Sequence, residues 1–309
     1  MTPRSTPPFA EAAAPAAAGP EARFSVIVPC YNEEGAIGQT VAALRESLAG
    51  GPAYELIVVN DGSADASAQV LGELVASDPA LRVLTHTRNR GYGAALKTGI
   101  LRSRTDLIVI TDADGTYPNH RMPELIAAMV DHDMVVGART ADDVEYPLIR
   151  RIPKAFLRRY AGWLAGQEIP DMNSGMRVFR KDVAERFLSI LPDGFSFTTT
   201  ITLAMLTNHY AVKYVPIGYS ARIGKSKIRP IRDTLLFLQL IVRTGVYFAP
   251  LRFFAPVAVV LLVASGVSAF HDVFILRDMT ESTLILLMFA MNTLMVALLA
   301  DMIDKRSGR

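Results

Sequence analysis

The chain has 309 residues, half of them apolar and 20% charged, with a formal net charge of +2. That length allows one large domain or two modest ones, and the near-neutral charge gives no global field for a nucleic-acid partner. A positive mean hydropathy is too high for an ordinary soluble enzyme and too low for a polytopic membrane protein, so a mostly soluble chain with a short membrane part is expected.

A single cysteine, Cys30, excludes an internal disulfide framework and suits a reducing compartment. Five scattered histidines give it no evident partner and no zinc set, so Cys30 is read as a small strand-end residue. Residues 1–22 are Pro/Ala-rich, and prolines and acids interrupt every apolar run. No signal-peptide core is present, and disorder is expected.

From Phe24 the pattern changes. "FSVIVP" (24–29), "YELIVV" (54–59), "LRVLTH" (81–86), "DLIVIT" (106–111) and "DMVVGA" (133–138) are short runs rich in β-branched residues, continuous rather than alternating. Strands buried on both faces read this way. Helix-length segments at 33–49, 65–77, 91–104 and 118–131 lie between them, which predicts an α/β fold with a mostly parallel sheet. Ligands in such sheets gather at the carboxyl ends of the strands. There the chain places "PCYNEE", "NDGSAD", "RNRGYG" and "TDADG", so one binding crevice is expected.

The C-terminal third differs. "FFAPVAVVLLVASGVSAF" (253–270) and "STLILLMFAMNTLMVALLA" (282–300) carry no charge. At ~1.5 Å per residue each nearly covers a ~30 Å hydrocarbon core. They are read as a transmembrane hairpin with a turn at 271–281, rather than as two core helices. Arg243, Arg252, Lys305, Arg306 and Arg309 flank the outer ends, which places both termini on the cytoplasmic side. "IRDTLLFLQLIVRTGV" (231–246) groups Arg232, Gln239 and Arg243 on one arc, as a helix lying in the membrane interface does. The expected organisation is a tail (1–22), a catalytic domain (23–228), an interface helix (229–250) and the hairpin (251–309).

Asp112 and Asp114 stand two apart at the end of the fourth run, beside Gly115. In extended chain such residues project to the same side, and neighbouring carboxylates repel unless a cation lies between them. Oxygen ligands of this kind suit Mg²⁺ or Mn²⁺ held with help from phosphates; the competing reading is an ordinary turn. Asp61 in "VVNDGSAD" either binds a base or ribose edge or caps the next helix. "RNRGYGAALKTG" offers backbone N–H groups at a glycine-rich helix start, with Lys97, for phosphate. Neither a Walker A loop nor a dinucleotide fingerprint occurs.

The ordered motifs "VIVPCYNEE", "VVNDGSAD", "NRGYGAALKTGI", "DADGTYP", "DMNSGMRVFR" and "RIGKSK" resemble those of the family-2 glycosyltransferases of GT-A fold. Within these the chain is most similar to the polyprenyl-phosphate glycosyltransferases, the group of dolichol-phosphate mannose synthase. The resemblance spans about 24–228 and implies a Rossmann-like catalytic domain followed by an interface helix and a membrane hairpin. It also implies inverting transfer of a hexose from a UDP- or GDP-linked donor to a polyprenyl phosphate, at the cytoplasmic face of the cell's inner membrane. Pro29, Tyr31, Glu33 and Asp61 would cradle the nucleoside, and Asp112 and Asp114 would carry the metal on the diphosphate. Arg139 and Arg150 resemble arginines that contact the donor diphosphate and the acceptor phosphate. Asp171 matches a position proposed as base or sugar-orienting group, and Arg222 and Lys227 match residues that close over the phosphates. Thr116 stands where mannose synthases often have Gln, and "FSFTTTIT" where many relatives show an acid; both leave the hexose open. The Gln-x-x-Arg-Trp motif of processive synthases is absent. Whether copies of the chain assemble is also open.

A lipid monophosphate is already largely dianionic near neutral pH, its second pKa being roughly 6, so it needs positioning more than deprotonation. Arg150, Arg222 and Lys227 then weigh more than any base. A rival enzyme would glycosylate a hydroxyl of diacylglycerol, ceramide or a glycan, and would need a true base. A non-catalytic membrane subunit would have lost the metal carboxylates, and both are present.

Overall fold

The computed structural model describes residues 9–12, 22–140, 159–163, 165–194, 196–219, 242, 245–247 and 249–307. The chain divides into two compact units: Met1–Ile152 with Ile169–Arg229, and Pro153–Glu168 with Pro230–Arg309. Most of the expected interface helix lies outside the described residues.

The first unit is built on one eight-stranded sheet. In chain order its strands are β1 (Phe9–Ala12), β2 (Phe24–Cys30), β3 (Tyr54–Asn60), β4 (Leu81–His86), β5 (Leu107–Ile110), β6 (Met134–Ala138), β7 (Arg177–Arg180) and β8 (Val212–Pro216). Every residue of β2 and β6 is buried, as is all of β3 after Tyr54. Two-sided burial is why these strands read as unbroken apolar runs. Helices α1 (Ile37–Ser47), α2 (Ser67–Ser77), α3 (Tyr92–Arg102) and α4 (Met122–Ala127) follow the parallel strands, and α5 (Lys181–Phe187) and α6 (Phe197–Thr207) come later.

Strand order is β1-β4-β3-β2-β5-β7-β6-β8. The chain runs outward from β2 to β3 and β4, then returns to place β5 on the other side of β2. The gap between the ends of β2 and β5 is therefore the topological switch point, where open sheets of this kind bind ligands. Residues 31–34 and 111–115 lie there.

Within the sheet's interior, β7 runs against both of its neighbours, β5 and β6, so its incoming end arrives at the edge where those strands finish. Extending the register past Ile110↔Arg177 sets Gly175 opposite Asp112. The segment 171–175 is thereby delivered into the crevice.

Disorder was expected across 1–22, yet Phe9–Ala12 forms a strand antiparallel to β4, with Phe9 opposite His86 and Ala12 opposite Val83. Without it β4 would present an open edge of unpaired backbone groups. The rest of the tail, apart from Ala22, lies outside the described residues.

In the second unit, Pro250–Leu276 and Glu281–Ile303 are long and apolar enough to cross a membrane, with 27 and 23 residues. The helices are α7 (Pro250–His271), continued as one π-turn through Leu276, and α8 (Glu281–Ser307). Ala258, Ser265 and Asp272 on the first and Thr283, Ala290 and Ala297 on the second are all at most 3% exposed. Each set repeats every seventh residue, a coiled-coil spacing, and side chains this small let two helices approach closely. Val260, Val263, Phe289 and Met291 point outward. The turn is shorter than 271–281, because Asp272 accepts bonds from the Thr280 N–H (2.8 Å), the Thr280 hydroxyl (2.6 Å) and the Thr283 hydroxyl (2.8 Å). One carboxylate thus ties the end of the first helix to the start of the second.

Candidate active site

β5 ends at Ile110, and the chain turns at Ala113 and Asp114. Asp112 thus continues the line of the strand, and Asp114 lies within the turn that follows, so the two acids are not both on extended chain. The cause is local. The α1 residue Thr40 donates to the Ala113 carbonyl (2.9 Å), and Gly115 takes φ +71°, open to glycine at little cost. Asp112 is half-buried and accepts a bond from the Tyr92 hydroxyl (2.9 Å). Burial first, and the Asp112 charge second, push the Tyr92 phenol well above its usual range, so it stays a donor. Asp114 is buried; its Oδ1 accepts from the Thr116 hydroxyl (2.7 Å) and the Thr116 N–H (3.2 Å). Thr116 thus fixes the rotamer of the second acid.

Two hard oxygen-donor side chains two residues apart fit Mg²⁺ or Mn²⁺, which keep several sites for phosphate and water. No group of three or more His, Cys, Asp or Glu side chains arranged for a metal occurs among the described residues.

The 171–175 segment meets both sides of the crevice. Asp171 pairs with Arg139, which follows β6: Nε reaches Oδ2 at 2.8 Å, Nη2 reaches Oδ1 at 3.0 Å, and the Arg139 N–H reaches Oδ2 at 3.1 Å. Burial alone would raise the Asp171 carboxyl, but the arginine's bonds and charge outweigh it and hold the pKa below the usual aspartate value. Arg139 also lies over the Tyr219 ring, 5.1 Å from its centroid. At the other end, a Cβ on Gly175 would stand 2.6 Å from both Asp112 oxygens, so only glycine fits opposite that carboxylate. The Gly175 N–H donates to the Tyr117 hydroxyl (2.6 Å).

Arg177 anchors this segment from beneath. It is fully buried; Nε donates to the Ser174 carbonyl (3.0 Å), and Nη1 to the Thr198 carbonyl (3.1 Å) and the Thr202 hydroxyl (2.9 Å). The Thr199 hydroxyl donates to Asn173 Oδ1. The threonines of "FSFTTTIT", noted in the sequence only for lacking an acid, are the support of the 171–175 segment. Tyr92, Asn173, Gly175, Thr199 and Tyr219 had no role assigned from the sequence. Tyr92, Asn173, Gly175 and Thr199 lie inside quoted stretches, which is the one signal that pointed to them.

On the other side of the crevice, the loops after β2 and β3 are laced together. Asn32 N–H donates to the Ser63 hydroxyl (3.0 Å), Ala64 N–H to Asn32 Oδ1 (2.8 Å) and Glu33 N–H to the Ser67 hydroxyl (2.9 Å). Pro29 lies within β2, Tyr31 is exposed and Glu33 is half-buried. Asp61 is 2% exposed, and its carboxylate meets His86 Nδ1 (2.6 Å) and accepts the N–H groups of Arg90 (2.9 Å) and Gly91 (2.7 Å). It shapes the loop 87–91 from inside. Cys30 is buried, and burial pushes its thiol up to about 12, as suits a strand-end filler.

Lys97 and the start of α3 differ from expectation. Lys97 is paired with Asp193 (2.7 Å), while the Gly93 and Ala94 N–H groups donate to the Gly194 and Asp193 carbonyls (3.2 and 2.9 Å). A Cβ on Gly93 would lie 2.1 Å from the Pro192 carbonyl. The glycines serve this close packing of chain on chain, and the Gly93 and Ala94 N–H groups are spent on it. Arg150, Arg222 and Lys227 lie outside the described residues.

Comparison with known proteins agrees with this architecture. Residues 25–188 match the glycosyl transferase family 2 model, and 249–305 match the GtrB C-terminal hairpin. Polyprenol monophosphomannose synthase of Mycolicibacterium smegmatis is 30% identical over 69% of this chain and 84% of its own length. Dolichyl-phosphate hexose transferase of Haloferax volcanii is 31% identical over 67% and 87%. Among solved structures, glucosyl-3-phosphoglycerate synthase of Mycobacterium tuberculosis with Mn²⁺, UDP and phosphoglyceric acid superposes with a TM-score of 0.53. It is 18% identical, over 72% of this chain and 77% of that one, and shares the fold. The chain belongs to glycosyl transferase family 2: it is a glycosyltransferase with a GT-A-like domain and a C-terminal hairpin of two apolar helices.

Proposed function

We propose that this glycosyltransferase moves a hexose from a UDP- or GDP-linked sugar to the phosphate of a polyprenyl phosphate, with inversion at the anomeric carbon. The observation that carries the choice of acceptor is the Arg139–Asp171 pair. An acceptor hydroxyl would need a base to take its proton, and Asp171 is held ionised with both oxygens occupied. A phosphate monoester needs none. One of its oxygens attacks the anomeric carbon, the bond to the nucleoside diphosphate breaks, and the leaving group departs with the electron pair. The relatives named for polyprenyl- and dolichyl-phosphate products support the same acceptor class.

Asp112 and Asp114 would hold Mg²⁺ or Mn²⁺, which supplies charge neutralisation for the departing diphosphate. Tyr92 and Thr116 keep those two carboxylates in place. Arg139, with one face on Tyr219 and its fork on Asp171, brings a fixed positive charge to the phosphates. Pro29, Tyr31 and Glu33 line the nucleoside side, while Arg150, Arg222 and Lys227 are proposed to gather the acceptor phosphate. The hairpin keeps the enzyme where a polyprenyl chain must remain. Arg252, Lys305, Arg306 and Arg309 at its outer ends favour a catalytic domain on the cytoplasmic side of the inner membrane.

The test is to incubate membranes holding the protein with a panel of labelled nucleotide-sugars and a polyprenyl phosphate. One donor should yield a lipid product released by mild acid. Transfer only to a water-soluble acceptor would overturn the reading.

A further inference from the structure

We propose that Asn173 is a specificity-determining residue whose side-chain amide donates to a hydroxyl of the transferred sugar, and that Thr199 is the positioning residue that aims it. The inference rests on the transferase reading above and names what that site recognises.

The segment 171–175 bridges the crevice. Asp171 holds Arg139 at one end, Gly175 lies against Asp112 at the other, and Asn173 is midway between the two. Its N–H donates to Asp171 Oδ1 (3.0 Å), which fixes its backbone. Its Oδ1 accepts the hydroxyl of Thr199, a first-turn residue of α6 that is only 1% exposed. A carboxamide is planar, with acceptor and donors on opposite sides. Holding Oδ1 on Thr199 therefore turns both Nδ2 hydrogens the other way. Among the described residues Nδ2 has no partner, and the side chain is half-buried.

The result is a pair of oriented donors on a neutral group, while charge in the crevice is supplied by the Arg139–Asp171 pair, Asp112 and Asp114. Phosphate oxygens have a cation to turn to. A neutral donor pair matches the neutral hydroxyls of a sugar ring, and an acid at this place would accept where Asn173 donates. A site built to hydrogen-bond a substrate hydroxyl rejects the epimer that leaves the bond unmade. Losing that bond should relax discrimination by roughly tenfold or more.

The experiment uses the full-length protein in detergent with Mg²⁺ or Mn²⁺. Nucleotide-sugars that share one nucleoside diphosphate but differ in the configuration of single hydroxyls are compared by kcat/KM and by calorimetric affinity, beside the free diphosphate. Asn173→Ala, Asn173→Asp (which keeps the acceptor for Thr199 but loses both donors) and Thr199→Val should each lower discrimination by roughly tenfold or more. Asn173→Ala and Thr199→Val, which change no charge, should leave affinity for the free diphosphate within about twofold. Thr199→Ser should restore discrimination, because the hydroxyl returns. Unchanged discrimination in variants that melt like the parent overturns the inference, as does an equal loss of affinity for diphosphate and nucleotide-sugar. A parent protein that binds no nucleotide-sugar overturns the transferase reading and takes this inference with it.

Discussion

Arg139 grips both oxygens of Asp171, through Nε at 2.8 Å and Nη2 at 3.0 Å. Taken singly, the arginine is a phosphate ligand and the aspartate a base; joined, they are a fixed cation and its brace. Their side chains are 23% and 11% exposed, so breaking the pair strands a largely desolvated charge. Asp171→Ala should destabilise the protein by about 2–3 kcal/mol, the low end for a pair that keeps some solvent contact. The double variant with Arg139→Ala should cost less than the two single changes summed. Thermal denaturation of the four proteins in detergent measures this, and additive losses would show that the pair is not coupled.

The depressed Asp171 pKa sets a pH expectation. A carboxylate lowered on folding contributes stability that is complete above the unfolded value, ~3.9, and is lost as pH falls through the folded value. Asp171 therefore does not titrate between pH 5 and 9. The acid limb of kcat/KM should follow the acceptor phosphate, near ~6, and should stay in place in Asp171→Asn. A limb that moves with this substitution would make Asp171 a base.

Gly175→Ala would put a methyl 2.6 Å from the Asp112 oxygens. The carboxylate must move while the buried β5–β7 ladder persists. We expect transfer to fall by about a hundredfold, the scale of a 1 Å misplacement, with the melting temperature nearly unchanged. Activity close to that of the parent would show that Asp112 need not stand where it does.

Asp114→Asn should abolish metal-dependent transfer, and excess EDTA should do the same to the parent. Thr116→Val removes the hydroxyl bonded to Asp114 (2.7 Å). The concentration of Mg²⁺ or Mn²⁺ for half-maximal activity should then rise by about tenfold or more, as when a ligand loses its outer support. An unchanged metal requirement would mean that Thr116 does not orient the acid.

Asp61→Ala would strip the acceptor from His86 Nδ1 and from the Arg90 and Gly91 N–H groups. A dry, unpaired donor costs about 1–3 kcal/mol, so a loss of at least about 2 kcal/mol is expected in thermal denaturation. A variant as stable as the parent would show that water replaces the carboxylate.

How much of this was legible in the sequence depends on the range of the interaction. β2 to β6 were readable because burial on both faces forces continuous apolar runs, and their polar ends marked the crevice before any coordinates. β7 is four residues long, and nothing local says that it runs antiparallel between β5 and β6. The bonds Arg139–Asp171, Lys97–Asp193 and Arg177–Thr202 join residues 32, 96 and 25 positions apart. Only the sheet order makes such pairs neighbours. Lys97 shows the same limit: a glycine-rich helix start beside a lysine reads as a phosphate site, and only the fold brings the chain at 192–194 against it. Thr116 was noticed as a departure, but its bond to Asp114 depends on a turn that the sequence reading took for extended chain.

The central claim is that the acceptor is a phosphate and that no side chain takes a proton from it. The direct measurement compares, in one assay with the preferred nucleotide-sugar, a polyprenyl monophosphate with the polyprenol of the same chain length. The account predicts transfer to the phosphate and none to the alcohol. Transfer to the alcohol without transfer to the phosphate would contradict it.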